Sequence, residues 1–308
     1  MVPTGLEAPT GGNRYDRELL ARLPVLTLLP VPLGPGGPGA PTGDATALDV
    51  ALAARPDGST VLLDGLVSTE HPDVLARHAH RLRTVLLLHL LRCDDDPAGT
   101  RPEAERASLR GVDVVVVTGR QAADRVRAFA GVAARLAPPG TDPGPPSTAS
   151  GIHRLLSVGS VGPRKGQEIV ARAVAELGAP WSLRCAGTVL TPFTLPGTTL
   201  LGPLDDVALE REWAAADLHV LLSTAEPYGM AVAEALARGL PSLVSEAGEL
   251  PRLVGGAGIV VERDVAAVVS ALRRWADDDG LRARLRAAAR SRELPTWDET
   301  ARTVGGLL

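Results

Sequence analysis

Two glutamates and one lysine are the residues of this sequence best suited to chemistry by their type and spacing. Glu226 and Glu234 lie in the stretch E-P-Y-G-M-A-V-A-E-A-L-A-R-G-L-P, residues 226–241. Because a helix has about 3.6 residues per turn, this spacing brings both carboxylates to nearly the same face. Two carboxylates on one face of a helix are suited to accept hydrogen bonds from sugar hydroxyls. The spacing also fits a helix cap followed by a solvated glutamate.

The backbone between the two glutamates suits an anion. The apolar run over residues 218–222 predicts a buried strand, and the Ala-rich pattern that follows predicts a helix. The N–H groups at the start of such a helix, here those of Tyr228, Gly229 and Met230, have no partner within the helix. They favour a negative ligand such as a diphosphate.

Lys165 is the only lysine among 32 basic residues. It follows Arg164 in the segment V-G-S-V-G-P-R-K-G, residues 158–166, between a predicted strand and a predicted helix. The glycine spacing matches neither the Walker pattern nor the Rossmann fingerprint. A compact ammonium in a chain that otherwise uses arginine favours a phosphate-binding role for this cation pair. The alternative is a pair of solvated turn residues.

The first half of the chain offers weaker candidates. Gly11 and Gly12 precede a predicted helix over residues 13–23 with Asn13 as its cap, and they form either a second anion site or an ordinary loop. His89 lies near the carboxyl end of a strand predicted over residues 84–91, where ligands of parallel sheets bind. A structural role for this histidine is the alternative.

Composition limits the class of protein. The chain has 308 residues, enough for two domains, and a net charge of -4 that is spread over both halves, which does not favour nucleic-acid binding. Cys93 and Cys185 have no metal-site or disulfide spacing.

The longest apolar run is too short to span a bilayer, and we expect a soluble cytoplasmic protein. Basic side chains in one predicted helix permit contact with a membrane surface, but a solvated face is the favoured interpretation; they are Arg77, His78, His80, Arg81 and Arg83.

Strands alternate with helices along the whole chain, which predicts an α/β protein with doubly wound parallel sheets. A Pro-rich segment over residues 138–150 is interpreted as a linker, so we expect domains at 1–145 and 146–308. In the first half we predict strands over 25–29, 60–63, 84–91, 113–118 and 133–136, and helices over 13–23, 46–54, 72–83, 104–111 and 120–129. In the second half we predict strands over 154–158, 181–186, 199–201, 218–222, 242–245 and 258–260, and helices over 167–177, 205–215, 265–277 and 281–291, besides the one after Pro227.

These motifs together resemble the retaining glycosyltransferases of family 4. The family pattern is V-G-R-x-x-x-x-K-G, then A-G, then S-x-x-E-x-[FY]-G-x-x-x-x-E-A-x-A-x-G-x-P, and residues 158–166, Ala186-Gly187 and residues 223–241 follow it in order. Residues 248–251, G-E-L-P, resemble the family's G-G-x-x-E segment. The first half matches more loosely, through Gly11-Gly12, His89 and residues 138–142.

The resemblance implies the GT-B fold, with two Rossmann-like doubly wound domains and a cleft between them. It implies catalytic roles for His89 at the donor sugar or reacting face, Lys165 at the departing diphosphate and Glu226 at the donor sugar. It places Glu234 on the ribose, the Tyr228–Met230 backbone along the sugar and diphosphate, Gly11-Gly12 at the phosphate, and the base near Gly187 and Leu204.

The sequence also departs from the family. Ser160 stands where the family has an arginine, so one diphosphate cation is missing unless Arg164 replaces it. The first strand of the family is nearly absent, because only residues 2–6 precede the Gly-Gly loop. Residues 294–303, L-P-T-W-D-E-T-A-R-T, resemble the family's C-terminal helix, and residues 292–308 are therefore expected to pack back on the first domain.

The expected activity is retaining transfer from a UDP-, GDP- or ADP-sugar to an acceptor nucleophile on a small molecule or glycan, by attack on the face that the diphosphate leaves. We expect no metal, because Asp94-Asp95-Asp96 lies in a loop and cations already serve the diphosphate. The alternatives are a non-catalytic homologue that binds nucleotide sugars, and a nucleotide-sugar epimerase of the same fold.

Overall fold

The computed structural model describes residues 1–7, 10–33, 43–95, 102–149 and 151–308. Most of the Pro/Gly-rich loop over residues 30–43, Asp96 of the triple-aspartate segment and Ser150 at the end of the expected linker lie outside the described residues. The chain forms two compact units. One consists of Met1–Gly140 with Pro295–Leu308, and the other of Thr141–Leu294.

The first unit contains two parallel sheets. Strands β1 (Val2–Pro3) and β2 (Pro30–Val31) form a short pair. The larger sheet has the order β3-β4-β5-β6, with bounds β3 (Thr60–Asp64), β4 (Arg83–Leu88), β5 (Val114–Val117) and β6 (Ala134–Leu136). The helices are α1 (Gly11–Arg22), α2 (Ala45–Ala53), α3 (Gly65–Ser68), α4 (Pro72–His78), α5 (Arg92–Asp95), α6 (Pro102–Gly111) and α7 (Arg120–Ala130).

Four predicted elements of this unit differ from the structure in position or extent, and one of them is the strand predicted over residues 84–91, which ends at Leu88. The strand predicted over residues 25–29 is displaced to β2, and Val25 is 79% exposed, so that its apolar side chain has no core to join. Helix α1 begins before Asn13, because the Thr10 hydroxyl caps it by accepting from the Asn13 N–H. Helix α4 ends at His78, where the backbone N–H groups of the next turn close on its carbonyl.

The second unit is built on one six-stranded parallel sheet of order β12-β11-β10-β7-β8-β9. Its strands are β7 (Arg154–Val158), β8 (Ser182–Ala186), β9 (Thr198–Gly202), β10 (Leu218–Leu221), β11 (Ser242–Ser245) and β12 (Gly258–Val261). Its helices are α8 (Gln167–Leu177), α9 (Asp206–Ala215), α10 (Met230–Ala237), α11 (Leu250–Val254), α12 (Val265–Asp277) and α13 (Asp279–Arg290), with a 3₁₀ turn at Gly255–Ala257. The chain runs outward from β7 to β9 and then returns to the other side of β7, so the order reverses between β7 and β10.

The last helix, α14 (Trp297–Gly305), belongs to the first unit. Thr296 and Glu299 form a capping box at its start. The Trp297 ring contacts the Tyr15 ring edge to face, with 5.7 Å between centroids. The Thr300 hydroxyl donates to the Pro138 carbonyl at 2.7 Å. These contacts attach the C-terminal residues to α1 and to the segment after β6.

Within the described ranges, no helix combines the length and the apolar character that a membrane span requires.

Candidate functional site

Two loops of the second unit meet at the point where the order of its strands reverses. Residues 159–166, here called the lysine loop, follow β7, and residues 222–229, here called the glutamate loop, follow β10. Strands β7 and β10 are neighbours in the sheet. In parallel sheets, ligands bind beyond the carboxyl ends of strands at such a reversal. The topology therefore marks these two loops as the candidate site.

Lys165 and Glu226 form an ion pair between the two loops. The distance from Lys165 Nζ to Glu226 Oε2 is 2.5 Å. The same carboxylate oxygen accepts a hydrogen bond from the Ser223 hydroxyl at 2.9 Å. The side chains of the lysine and the glutamate are only 14% and 11% exposed. The pair is therefore partly desolvated, and each charge depends on the other.

The lysine loop is stabilised by the side chain that directly follows it and by close contact with the glutamate loop. The buried Gln167 side chain accepts from the Gly162 N–H at 3.2 Å and donates to the Ser160 carbonyl at 3.1 Å. Gly166 has a φ of +70°, and a Cβ there would lie 2.4 Å from the Leu222 carbonyl oxygen. A side chain at position 166 would push the two loops apart.

The glutamate loop is fixed by the segment after β11. The Glu226 carbonyl accepts from the Glu249 N–H at 3.1 Å. A Cβ on Gly248, whose φ is +57°, would lie 1.8 Å from that carbonyl oxygen. This close approach requires glycine, and it gives a physical reason for the glycine of the G-E-L-P segment.

Helix α10 starts directly after this loop. Gly229 is its N-cap in the left-handed conformation, with a φ of +101°, and Met230 is its first residue. Burial raises the pKa of Tyr228 to about 12. Among the described residues, the Tyr228 hydroxyl is one of the buried polar atoms without a hydrogen-bond partner. Glu234 lies on α10, about one turn after Met230, and is partly exposed.

Of the other residues predicted to bind the donor in the second unit, three lie in or beside the two loops and one, Leu204, does not. Gly187 follows β8, and a Cβ there would lie 2.2 Å from the Gly159 carbonyl oxygen and 3.2 Å from the Ser160 nitrogen. Arg164 donates from Nη1 to the Ala225 carbonyl at 3.3 Å. Leu204 lies in the turn between β9 and α9. The structure brings Gly187, Ser160 and Arg164 to the two loops, and no described contact joins Leu204 to them.

In the first unit, Gly12 and His89 come together. A Cβ on Gly12 would lie 3.1 Å from His89 Cδ2, so the helix start and the imidazole are in close contact. Gly11 is the first residue of the same helix. His89 Nε2 lies 3.2 Å from Asp16 Oδ1 and 3.2 Å from Asp64 Oδ2. The sequence predicted His89 within a strand over residues 84–91, near its carboxyl end, whereas β4 ends at Leu88 and His89 follows it directly. No role for either aspartate was indicated by the sequence.

The charges of this cluster depend on one another. Burial lowers the pKa of His89, but hydrogen bonds and charges from Asp16 and Asp64 outweigh it and raise the pKa to about 10. Burial raises the pKa of Asp16 to about 6, against the effect of His89. Asp16 Oδ2 is buried without a hydrogen-bond partner among the described residues. A raised pKa favours the protonated imidazole, whose side chain is 22% exposed and lies between two carboxylates.

The same three residues are the only set of potential metal ligands found within the described ranges, with ligand atoms within 4.8 Å of one another. Asp16 Oδ1 and Asp64 Oδ2 both approach the same atom of the imidazole, Nε2. Asp94, from the triple-aspartate segment, lies in α5 and pairs with Arg125 at 2.7 Å.

Comparison with known proteins gives a family match within the second unit. Residues 152–278 match the family model described as glycosyl transferases group 1. A D-inositol 3-phosphate glycosyltransferase from Nocardioides is 31% identical over 180 residues, which are 48% of this chain and 39% of that protein. A glycogen synthase from Mycobacterium tuberculosis is 36% identical over 107 residues, which are 34% of this chain and 26% of that protein. The chain thus spans well under half the length of these relatives.

Two solved structures resemble nearly the whole chain. Sucrose-phosphate synthase from Thermosynechococcus elongatus has a TM-score of 0.75 at 20% identity, covering 99% of this chain and 97% of that one. The Anabaena protein HepE, in complex with UDP-glucose, has a TM-score of 0.75 at 16% identity, covering 99% and 98%. At these identities the likeness shows the fold alone. The fold is the GT-B type, α/β with two Rossmann-like units, as the sequence predicts.

Proposed function

We propose that this chain is a retaining glycosyltransferase that moves a sugar from a nucleoside diphosphate sugar to an acceptor nucleophile. The observation that carries the proposal is the Lys165–Glu226 ion pair beside the start of α10. The strand order reverses at a point where a cation, a carboxylate and the backbone N–H groups of a helix start lie close together. The residues around them match glycosyl transferases group 1. This combination suits a ligand that is anionic at one end and rich in hydroxyl groups at the other.

In the proposed mechanism each residue has a separate task. Lys165 neutralises the diphosphate as it leaves, which stabilises the charge that develops in the transition state. Glu226 accepts hydrogen bonds from the donor sugar, and Glu234 accepts them from the ribose. The backbone N–H groups at Tyr228, Gly229 and Met230 contact the sugar and the diphosphate. The acceptor attacks on the face that the diphosphate leaves, and a diphosphate oxygen takes its proton.

We propose that transfer needs no metal ion, because Lys165 and the helix start supply positive potential to the diphosphate. Ser160 lacks the charge of the family arginine, and its carbonyl is held by Gln167. Arg164 is anchored to the Ala225 carbonyl within the two loops, which keeps its charge close to them.

A thermal-shift panel tests the donor. UDP-glucose is the first probe because HepE was solved with it, and GDP- and ADP-sugars follow, all in EDTA. A donor at 100 times its Kd should stabilise the folded chain by about 2.7 kcal/mol. Lys165→Met should abolish the shift, whereas Arg172→Met, which removes an exposed surface cation, should retain it. If no nucleotide sugar shifts the transition, the proposal fails.

Turnover separates the enzyme from a protein that only binds nucleotide sugars. We expect slow donor hydrolysis without acceptor, unaffected by EDTA and lost in Glu226→Ala. Retention is read from the anomeric proton signals of the product by NMR. Donor binding without hydrolysis or transfer would favour the non-catalytic alternative, and release of an altered sugar would favour the epimerase.

A further inference from the structure

Arg263 joins the two loops of the candidate site from a third segment of the second unit. It lies in the connection between β12 and α12. Its Nε donates to the Leu222 carbonyl at 2.6 Å, and its Nη2 donates to the Pro163 carbonyl at 2.8 Å. Leu222 belongs to the glutamate loop and Pro163 to the lysine loop. One planar guanidinium thus spans both loops.

Both carbonyls belong to residues that lie close to the ion pair in the sequence, four residues before Glu226 and two residues before Lys165. Leu222 precedes Ser223, whose hydroxyl donates to Glu226. Pro163 is two residues before Lys165 in a tight turn, in which the Lys165 N–H donates to the Gly162 carbonyl. A shift of either carbonyl would therefore move one partner of the pair.

Besides the Lys165–Glu226 ion pair, other contacts among the described residues join the two loops directly. The Thr224 N–H donates to the Arg164 carbonyl at 2.8 Å, and the Arg164 side chain donates to the Ala225 carbonyl. Gly166 packs against Leu222. Arg263 differs from these because its two bonds set the spacing of the loops from outside. A lysine cannot replace it fully, since its ammonium is a point charge on a flexible chain and lacks the fixed fork of a guanidinium.

We propose that Arg263 is a positioning residue that holds the lysine loop and the glutamate loop at the separation that donor binding requires. This inference rests on the proposed function for its effect on transfer. Its effect on the loops does not depend on that function. Arg263 acts through Lys165 and Glu226 and does not itself contact the reacting atoms.

Hydrogen exchange tests the effect on the loops. In Arg263→Met, the backbone amides of the non-proline residues in 162–166 and 223–229 should exchange at least about tenfold faster than in the wild type, because local opening becomes easier. Arg286→Met is the matched control, since it removes a guanidinium of the same unit that donates from Nη2 to a single carbonyl, that of Gly151. It should leave exchange in both loops unchanged. Equal exchange in the two variants would overturn the inference.

Kinetics test the effect on the donor. Arg263→Met should raise the donor KM and lower kcat/KM by roughly 10- to 100-fold, because small displacements of catalytic groups are costly. Arg263→Lys should recover only part of this loss, and acceptor KM should change little. A variant that loses stability but keeps wild-type donor KM would assign Arg263 a structural role and overturn the inference. If the wild type binds no nucleotide sugar, the proposed function fails, and the exchange experiment still decides the role of Arg263.

Discussion

Lys165 and Glu226 are 61 residues apart in the sequence, yet their charged atoms lie 2.5 Å apart. The pair exists because β7 and β10 are neighbours although β8 and β9 come between them in the chain. Each residue follows one of these strands by a short loop. The ion pair is therefore a direct consequence of the strand order.

The first prediction concerns the energetic coupling of this pair. Lys165→Met and Glu226→Gln should each lower the free energy of unfolding. Each substitution leaves the other charged side chain without its partner in a partly desolvated site. In the double variant part of the loss should return, giving a coupling energy of about 1–3 kcal/mol in urea denaturation. The exposed Arg172–Glu168 pair serves as the control cycle, with an expected coupling of about 0.3–0.5 kcal/mol. Equal coupling in both cycles would contradict the prediction.

The second prediction concerns Gly248. Gly248→Ala should destabilise the chain by about 2–4 kcal/mol, because the new methyl group meets the Glu226 carbonyl and the φ is positive. Gly131→Ala, at a positive φ with no atom within 4 Å of the new Cβ, is the matched control, with an expected cost of about 1 kcal/mol. The difference in Tm and in the free energy of unfolding isolates the clash. Similar decreases in the free energy of unfolding of the two variants would contradict the prediction, because they would show that the glutamate loop shifts to accommodate the methyl group at little cost.

The third prediction compares the two tyrosines. The Tyr15 hydroxyl donates to the buried Ala137 carbonyl at 2.8 Å. Tyr15→Phe should therefore cost about 1–2 kcal/mol of stability, since it leaves that carbonyl unpaired. Tyr228→Phe removes a buried hydroxyl that has no partner among the described residues, and its effect should stay within about 0.5 kcal/mol. A larger loss for Tyr228→Phe would reveal a partner for its hydroxyl, such as a bound water molecule.

The fourth prediction concerns pH and His89. The folded pKa of about 10 lies above the ordinary value of 6.5, so the folded state holds an extra proton between these values. The stabilising effect of the imidazolium is complete below pH 6.5 and is lost as the pH rises through about 10. The free energy of unfolding of His89→Gln should therefore fall less steeply with pH over this window than that of the wild type. Subtracting the two curves removes the contribution of groups that do not contact His89; the pKa of Asp16 is lowered by His89, so the difference reports the His89–Asp16 cluster as a unit. Parallel curves would contradict the assignment.

Residues that interact locally were predicted well from sequence. Helix α8 and strand β7 have the predicted bounds, because hydrophobic periodicity and flanking glycines act over a few residues. The strand predicted over residues 25–29 is wrong, because the pairing of β1 with β2 rather than the local pattern decides where the strand forms. Asp16 and Asp64 were missed for a similar reason. Asp64 reaches the imidazole through the pairing of β3 with β4. Asp16 reaches it through α1, the start of which contacts His89.

The alternation of strands and helices, the two glycine-containing loops and the chemical types of their residues can be read from the amino-acid sequence. These features depend on local spacing and on the properties of single side chains. The contact between Lys165 and Glu226, the approach of two aspartates to His89 and the position of Arg263 across both loops appear only in the folded chain. Such contacts depend on strand order and on close packing between distant segments, which no local pattern encodes.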